Sequence, residues 1–226
     1  MKIVIFDMDG TLIDSQKDIS SSINYVRKTN YGLEPLEEKY IVEVINMPVR
    51  NLPELFYNTP VYMDKDRDLF EEHYFEECIK NTYLYSGIAQ TLEELKSLHV
   101  RLNVATNAPT KFAKRMLTHL HVSDFFDTII GADMAKASKP DPKMLEMILD
   151  NYNNQHSAKH TWMVGDNSKD IEAAKKIDIG SIFATWGFSS QGEADFIANH
   201  PNRILEIVQS ACEKHYHFYD KNNKNW

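Results

Sequence analysis

Asp7 and Asp9 stand two residues apart at the end of the apolar run Ile3-Val4-Ile5-Phe6, with Gly10 directly after them. A run this short, β-branched and aromatic without alternation, has the pattern of a strand buried on both faces. Gly10 lets the chain turn where the strand stops. Open parallel sheets bind ligands in the crevice outside the carboxyl ends of their strands, so both carboxylates are expected there. Two acids in one crevice repel, and a bound cation or a shared proton relieves the repulsion. Either resolution points to chemistry rather than to stability.

Three later segments repeat the arrangement of a polar group at the end of an apolar run or before a helix. Leu102 to Ala105 ends at Thr106-Asn107, and Trp162-Met163-Val164 ends at Gly165-Asp166, with Asp170 four residues further on. Lys139 precedes the rigid Pro140-Asp141-Pro142 and a helical run. In chain order these supply acids, a hydroxyl and an ammonium group from four separate elements. The set resembles the four motifs of the haloacid dehalogenase superfamily, and the resemblance covers essentially the whole chain. Each motif alone is weak; four in order are specific. The segment from Asp9 through Gly10, Thr11, Leu12, Ile13 and Asp14 to Ser15 most resembles the phosphatase branch, phosphoglycolate phosphatase and its relatives. True dehalogenases lack an acid at the position of Asp9.

The resemblance implies a Mg²⁺-dependent phosphatase that works through an aspartyl phosphate on a small phosphorylated metabolite of the phosphoglycolate type. Asp7 would be the nucleophile and Asp9 the general acid and base. Asp7, Asp9 through its backbone carbonyl, and Asp166 would bind Mg²⁺, with Asp170 tuning the site from its edge. Thr106 and the amide of Asn107 would hold phosphate oxygens, and Lys139 would stabilise negative charge. Arg50 follows Met47-Pro48-Val49 in a stretch that resembles the family's substrate-facing segment. Its guanidinium can grip a substrate carboxylate or second phosphate, and its other reading is a solvated charge on a helix. Ala108, Asn46 and Ser86 depart from the phosphoglycolate phosphatase pattern, which often has Lys, Gly and Pro there. A phosphosugar mutase of the β-phosphoglucomutase type shares the same core. So does a non-catalytic phosphate-binding protein, although it is expected to lose one of the four principal residues. A response-regulator receiver also joins acids, a hydroxyl and a lysine, but is about half this length and has no helical insertion after its first strand.

The elements that must position these groups read as a core interrupted early. From Gly87 onward helical and strand patterns alternate: helices near 88–98, 110–120, 142–152 and 169–177, strands near 101–105, 128–130, 161–164 and 181–184, then an edge strand at Phe196-Ile197 and a closing helix over 201–212. That rhythm predicts an α/β fold, a doubly wound parallel sheet. The stretch 16–82 carries helical stripes instead, including Ile19, Ile23 and Val26, and a last helix from Leu69 toward Asn81. It predicts an inserted helical cap on a core of 1–15 and 83–226, with no strand between Ser15 and Leu102.

The 226 residues are enough for one domain plus an insertion, and a net charge of -8 argues against a broad nucleic-acid footprint. No run of about 18 apolar residues suggests a membrane span. Cys78 and Cys212 are too few for a disulfide framework and are expected to pack in a reducing cytoplasm. The first strand follows Met1-Lys2 directly, leaving no room for a signal peptide. A monomer or homodimer is expected. His215 and His217 lack acids or cysteines at ligand spacing and read as part of a loose tail.

Overall fold

In the computed structural model, residues 1–47, 51–153, 157–189 and 191–210 are described. Strand β1 (Ile3–Phe6) is completely buried and lies at the centre of the sheet. The chain then forms β2 (Ile13–Asp14) and four helices, α1 (Gln16–Tyr31), α2 (Glu38–Asn46), α3 (Leu52–Tyr57) and α4 (Asp64–Glu77). It returns through β3 (Tyr83–Leu84), α5 (Ile88–Ser97), β4 (Arg101–Thr106), α6 (Thr110–His119), β5 (Thr128–Gly131), α7 (Ala132–Ala135) and α8 (Lys143–Asp150). The remaining elements are β6 (Thr161–Gly165), α9 (Ser168–Lys175), β7 (Gly180–Ala184) and β8 (Phe196–Ala198), with residues 202–210 helical.

Six strands form one parallel sheet in the order β5-β4-β1-β6-β7-β8. The chain builds outward from β1 through β4 to β5, then crosses to the other side of β1 for β6, β7 and β8. The strand order therefore reverses beside β1, which opens a crevice at the carboxyl ends of β1, β4 and β6. Alternation along β1 divides the core. Val4 and Phe6 face the α5 and α6 side with Leu92, Leu95 and Phe112, while Ile3 and Ile5 face Met144, Leu145 and Ile148 of α8 and Ala173 of α9.

The four inserted helices have an apolar cluster of their own, built on Ile23, Val26, Ile41, Val44, Phe56 and Tyr57. Ile19 and Phe70 pack against both this cluster and the α5/α6 side of the sheet core. The two chain crossings into and out of these helices are tied together. β2 and β3 pair antiparallel, Ile13 opposite Leu84 and Asp14 opposite Tyr83. Beside them the fully buried Asp18 carboxylate accepts from the backbone N–H groups of Asn81 (2.9 Å) and Thr82 (3.0 Å) and from both side chains.

The β2/β3 ribbon corrects the expectation of no strand between Ser15 and Leu102: two-residue strands are too short to show an alternating pattern. The helix α4 begins at Asp64, five residues before the expected Leu69. Its first turn is charged, and the buried residue there is Asp66, not an apolar one, so no apolar stripe announces it. Asp66 is held by Asn30 Nδ2 (2.8 Å) and the Tyr31 hydroxyl (2.7 Å). The end of the closing helix, Cys212, His215 and His217 lie outside the described residues.

Candidate active site

Asp7 is the first residue past β1, and its N–H donates to the carbonyl of Val164 at 2.8 Å, carrying the strand pairing one step into the crevice. The next residues fold back tightly. The N–H groups of Leu12 and Ile13 both donate to Met8 O, and Gly10 adopts φ 83°. A side chain at Gly10 is excluded twice over, because a Cβ there would also lie 2.4 Å from Asp166 Oδ2. This turn presents Thr11, whose hydroxyl donates to Asp166 Oδ1 at 3.1 Å, and Ser15. Ser15 occupies the N-cap position of α1 yet makes no capping bond; its hydroxyl donates instead to Asp9 Oδ1.

Lys139 lies in the loop between α7 and α8 and is 3% exposed. Its three ammonium hydrogens face three oxygens: Asp7 Oδ1 at 2.6 Å, Asp170 Oδ1 at 2.7 Å and the carbonyl of Ala105 at 2.6 Å. Burial alone pulls such an ammonium toward neutrality, but the carboxylates of Asp170 and Asp7 outweigh it and hold Lys139 above the usual lysine range. Its backbone is clamped by Asn107, which accepts from Lys139 N–H at 2.8 Å and donates to its carbonyl at 3.2 Å. Thr106 Oγ1 accepts from the N–H of Ala108 at 3.1 Å, which leaves the hydroxyl hydrogen to donate into the crevice.

Asp166 and Asp170 arrive together on β6 and α9. Asn167 caps α9, accepting from Lys169 N–H at 3.1 Å, while Asp170 Oδ2 accepts from Asn167 N–H at 3.1 Å. This reciprocal box swings Asp170 back over the helix start. Asp170 therefore stands beside Lys139, within reach of Asp7 and Asp166. One oxygen from each of Asp7, Asp166 and Asp170 lies within 4.8 Å of the others. The Asp9 side chain is not in this trio; its carboxyl accepts from the Ser15 hydroxyl.

Burial, reinforced by the charges of Asp7 and Asp170, pushes the Asp166 carboxyl up to about 8. Burial likewise raises Asp170 to about 6 against the pull of Lys139. For Asp9 burial wins over the Ser15 hydrogen bond, with Asp7 adding to the push, and the carboxyl rises to about 6.

A cavity of about 370 Å³ lies between these groups and the inserted helices. Asp7, Asp9, Thr106, Asn107, Lys139, Asp166 and Asp170 all line it. Its size is that of a small-molecule site. Arg50 lies outside the described residues. Ser15, Thr11 and the N–H of Phe188, which donates to Asp166 Oδ2 at 2.8 Å, are contributors that the sequence reading did not assign. Ser15 and Thr11 belong to the segment that carried the resemblance, but nothing in their spacing tells which acid each one holds.

The sequence profile of haloacid dehalogenase-like hydrolases matches residues 4–184. The phosphoglycolate phosphatase of Aquifex aeolicus is 32% identical over 220 residues, which cover 93% of this chain and 98% of the relative. The N-acetylmuramic acid 6-phosphate phosphatase of Pseudomonas putida is 27% identical, covering 93% and 97%. Among solved structures, that of a "predicted phosphoglycolate phosphatase" from Haemophilus somnus superposes with a TM-score of 0.80 at 25% identity, covering 92% of this chain and 98% of that one.

Proposed function

Because the chain belongs to the haloacid dehalogenase-like hydrolase family and is a phosphoric monoester hydrolase, we propose that it hydrolyses a small phosphomonoester through an aspartyl phosphate, an acyl phosphate on Asp7, with Mg²⁺ as cofactor. The observation that carries this reading is the Lys139 ammonium shared by Asp7 and Asp170 at 2.6 and 2.7 Å, next to Asp166 and at the sheet's reversal point. Three carboxyl groups around one ammonium form a buried cluster of hard oxygen atoms in which burial favours the protonated forms of Asp166 and Asp170. That donor set suits a divalent cation, which would take the place of those protons. Asp7, the carbonyl of Asp9 and Asp166 would hold it, with Asp170 behind them. Bound there, Mg²⁺ supplies positive charge against the phosphate oxygens.

The chain's own groups account for the proton and bond changes. An Asp7 carboxylate oxygen attacks phosphorus in line, the bond from phosphorus to the ester oxygen breaks, and Asp9 gives its proton to the departing alkoxide. A carboxyl raised to about 6 is partly protonated near neutrality, which suits a group that must first donate and then accept. Asp9 next takes a proton from the water that attacks phosphorus, and the bond to Asp7 breaks. Ester and water become alcohol and inorganic phosphate, and the enzyme is restored. Thr106 Oγ–H and Asn107 N–H hold phosphate oxygens, Ser15 holds Asp9, and Lys139 orients Asp7 through its 2.6 Å contact. The helices of 16–82 act as the cap over this centre.

Phosphate release from a panel of phosphomonoesters tests the reading. Turnover is expected with Mg²⁺ and is expected to vanish with chelator; chelator-resistant hydrolysis by pure protein removes the metal. Acid quenching and mass spectrometry should place the phosphate on Asp7, and a label elsewhere rejects the mechanism. Asp9→Ala should abolish turnover while calorimetry shows Mg²⁺ binding largely kept. Isomerised sugar phosphate in place of free phosphate identifies a mutase.

A further inference from the structure

The cavity has two unlike walls, and the one formed by the inserted helices bears on the substrate. Ile23, Val42, Ile45, Leu52, Phe56 and Phe70 line it. Among the described residues the cavity is bordered by five acids, Asp7, Asp9, Asp66, Asp166 and Asp170, and by three cations, Arg67, Lys139 and Lys169. The cations are engaged. Lys139 is held by Asp7, Asp170 and Ala105, and Lys169 Nζ reaches the carbonyl of Ile45 at 3.5 Å. Arg67 lies 3.7 Å from Asp64 with its side chain 60% exposed. The roof is joined to the floor where Asn167 Nδ2 donates to Asn46 Oδ1 at 3.2 Å.

We propose that the ester hydrolysed here carries an uncharged, apolar or aromatic alcohol several carbons larger than glycolate. The proposal rests on the phosphatase reading and names the substrate class for it. Phosphate binds the polar floor, and the alcohol lies against the aliphatic and aromatic roof, where each buried carbon is taken out of water. A second anion on the alcohol has the opposite fate. It loses its hydration against Ile45, Leu52 and Phe56. Glycolate, with two carbons and a carboxylate, would leave most of the roof uncovered.

A homologous series separates the roof's contribution from the chemistry. Ethyl, butyl and hexyl phosphate have alcohols of nearly equal acidity, so differences in kcat/KM report contact with the roof. With Mg²⁺ present, kcat/KM should rise about fourfold per methylene where the chain meets the apolar wall. 2-Phosphoglycolate, which is ethyl phosphate with one methyl oxidised to carboxylate, should be the poorer of that pair. Ile45→Ala should flatten the series, and Ile45→Lys should invert the pair in favour of 2-phosphoglycolate. Calorimetry with hexylphosphonate, whose phosphorus–carbon bond resists hydrolysis, should give a more negative heat-capacity change than ethylphosphonate and provides a readout independent of turnover. A flat series, or 2-phosphoglycolate at least tenfold better than ethyl phosphate in the parent protein, overturns the proposal and leaves the phosphatase reading intact. No turnover on any ester with Mg²⁺ removes both.

Discussion

The wall that the sheet contributes to the cavity and the wall that the inserted helices contribute are organised on different physical terms. On the sheet side Lys139 is held by three oxygens, Asp166 by Thr11 and Phe188, and Asp170 by Asn167 and Lys139. Small displacements there break charge-assisted bonds in a buried setting, so the wall tolerates little change. On the helical side Asp66 and Arg67 border a lining that is otherwise mainly aliphatic and aromatic, where contact depends on area and shape, which many residues can supply. The difference teaches that reaction and substrate choice are separable in this protein. Changes to the floor should strike every ester alike, and changes to the roof should depend on the ester.

The strongest way to break that comparison is at Asp7. Asp7→Asn removes the nucleophile, and kcat should fall by about 10⁴–10⁶ for every substrate tested. A loss confined to some esters would make Asp7 a binding group, and the division between the walls would fail.

Lys139 gives the next effect. Lys139→Ala leaves Asp7 and Asp170 buried without their shared ammonium, so kcat should drop by about 10²–10³, with about 3–5 kcal/mol of stability lost. Lys139→Arg should be milder and still impaired, since a planar fork cannot occupy the same point among three oxygens. Steady-state kinetics with denaturant unfolding distinguishes the two losses. Wild-type rates in the alanine variant would mean that Lys139 serves structure alone.

The acid cluster also predicts a pH dependence for the metal-free protein. Asp166 is raised to about 8 and Asp9 and Asp170 to about 6 from an unfolded value of 3.8, so the native state binds more protons than the unfolded chain across that interval. The stability these groups contribute is complete below about 4 and is lost as pH rises, steeply to about 6 and then through Asp166 alone to about 8. In chelator, Tm should decline from pH 5 to pH 8 by on the order of ten degrees, and Mg²⁺ should flatten the slope by replacing the protons. A rising Tm over that range without metal would refute the assignment of these carboxyls.

The smallest expected effect sharpens the roof. If an apolar alcohol is the leaving group, Arg50→Ala should change kcat/KM for 2-phosphoglycolate and for p-nitrophenyl phosphate by similar factors, each less than about tenfold. A selective tenfold loss on 2-phosphoglycolate would instead assign Arg50 to an acidic substrate, as its position beside Met47-Pro48-Val49 first suggests.

Much of the floor was legible because strand ends are legible. Asp7, Thr106 and Asp166 each terminate a run whose β-branched and apolar residues mark a buried parallel strand, and the sheet brings those ends to one edge. Lys139 was legible only by its company, since it ends no strand. The part played by Asp170 was not: four residues beyond Asp166 suggests one helical turn away, whereas the capping box returns its carboxylate to Lys139. Ser15 occupies the N-cap position of α1, yet its hydroxyl turns to Asp9.

By itself the sequence determined the alternation of strands and helices, the parallel sheet, and that Asp7, Thr106 and Asp166 end its strands, because hydrophobic period and turn chemistry are local properties. Tertiary structure decided the rest. The clamp of Asn107 on Lys139 links residues 32 positions apart, the bond from Thr11 to Asp166 links residues 155 apart, and the β2/β3 ribbon joins two-residue strands across the whole insertion. The cavity's apolar roof is likewise a product of packing: the stripes on α1 and α2 are readable as helix cores, and only the arrangement of the helices shows which of their side chains face the cavity. Such contacts carry no local period, so they exist as information only once the chain has folded.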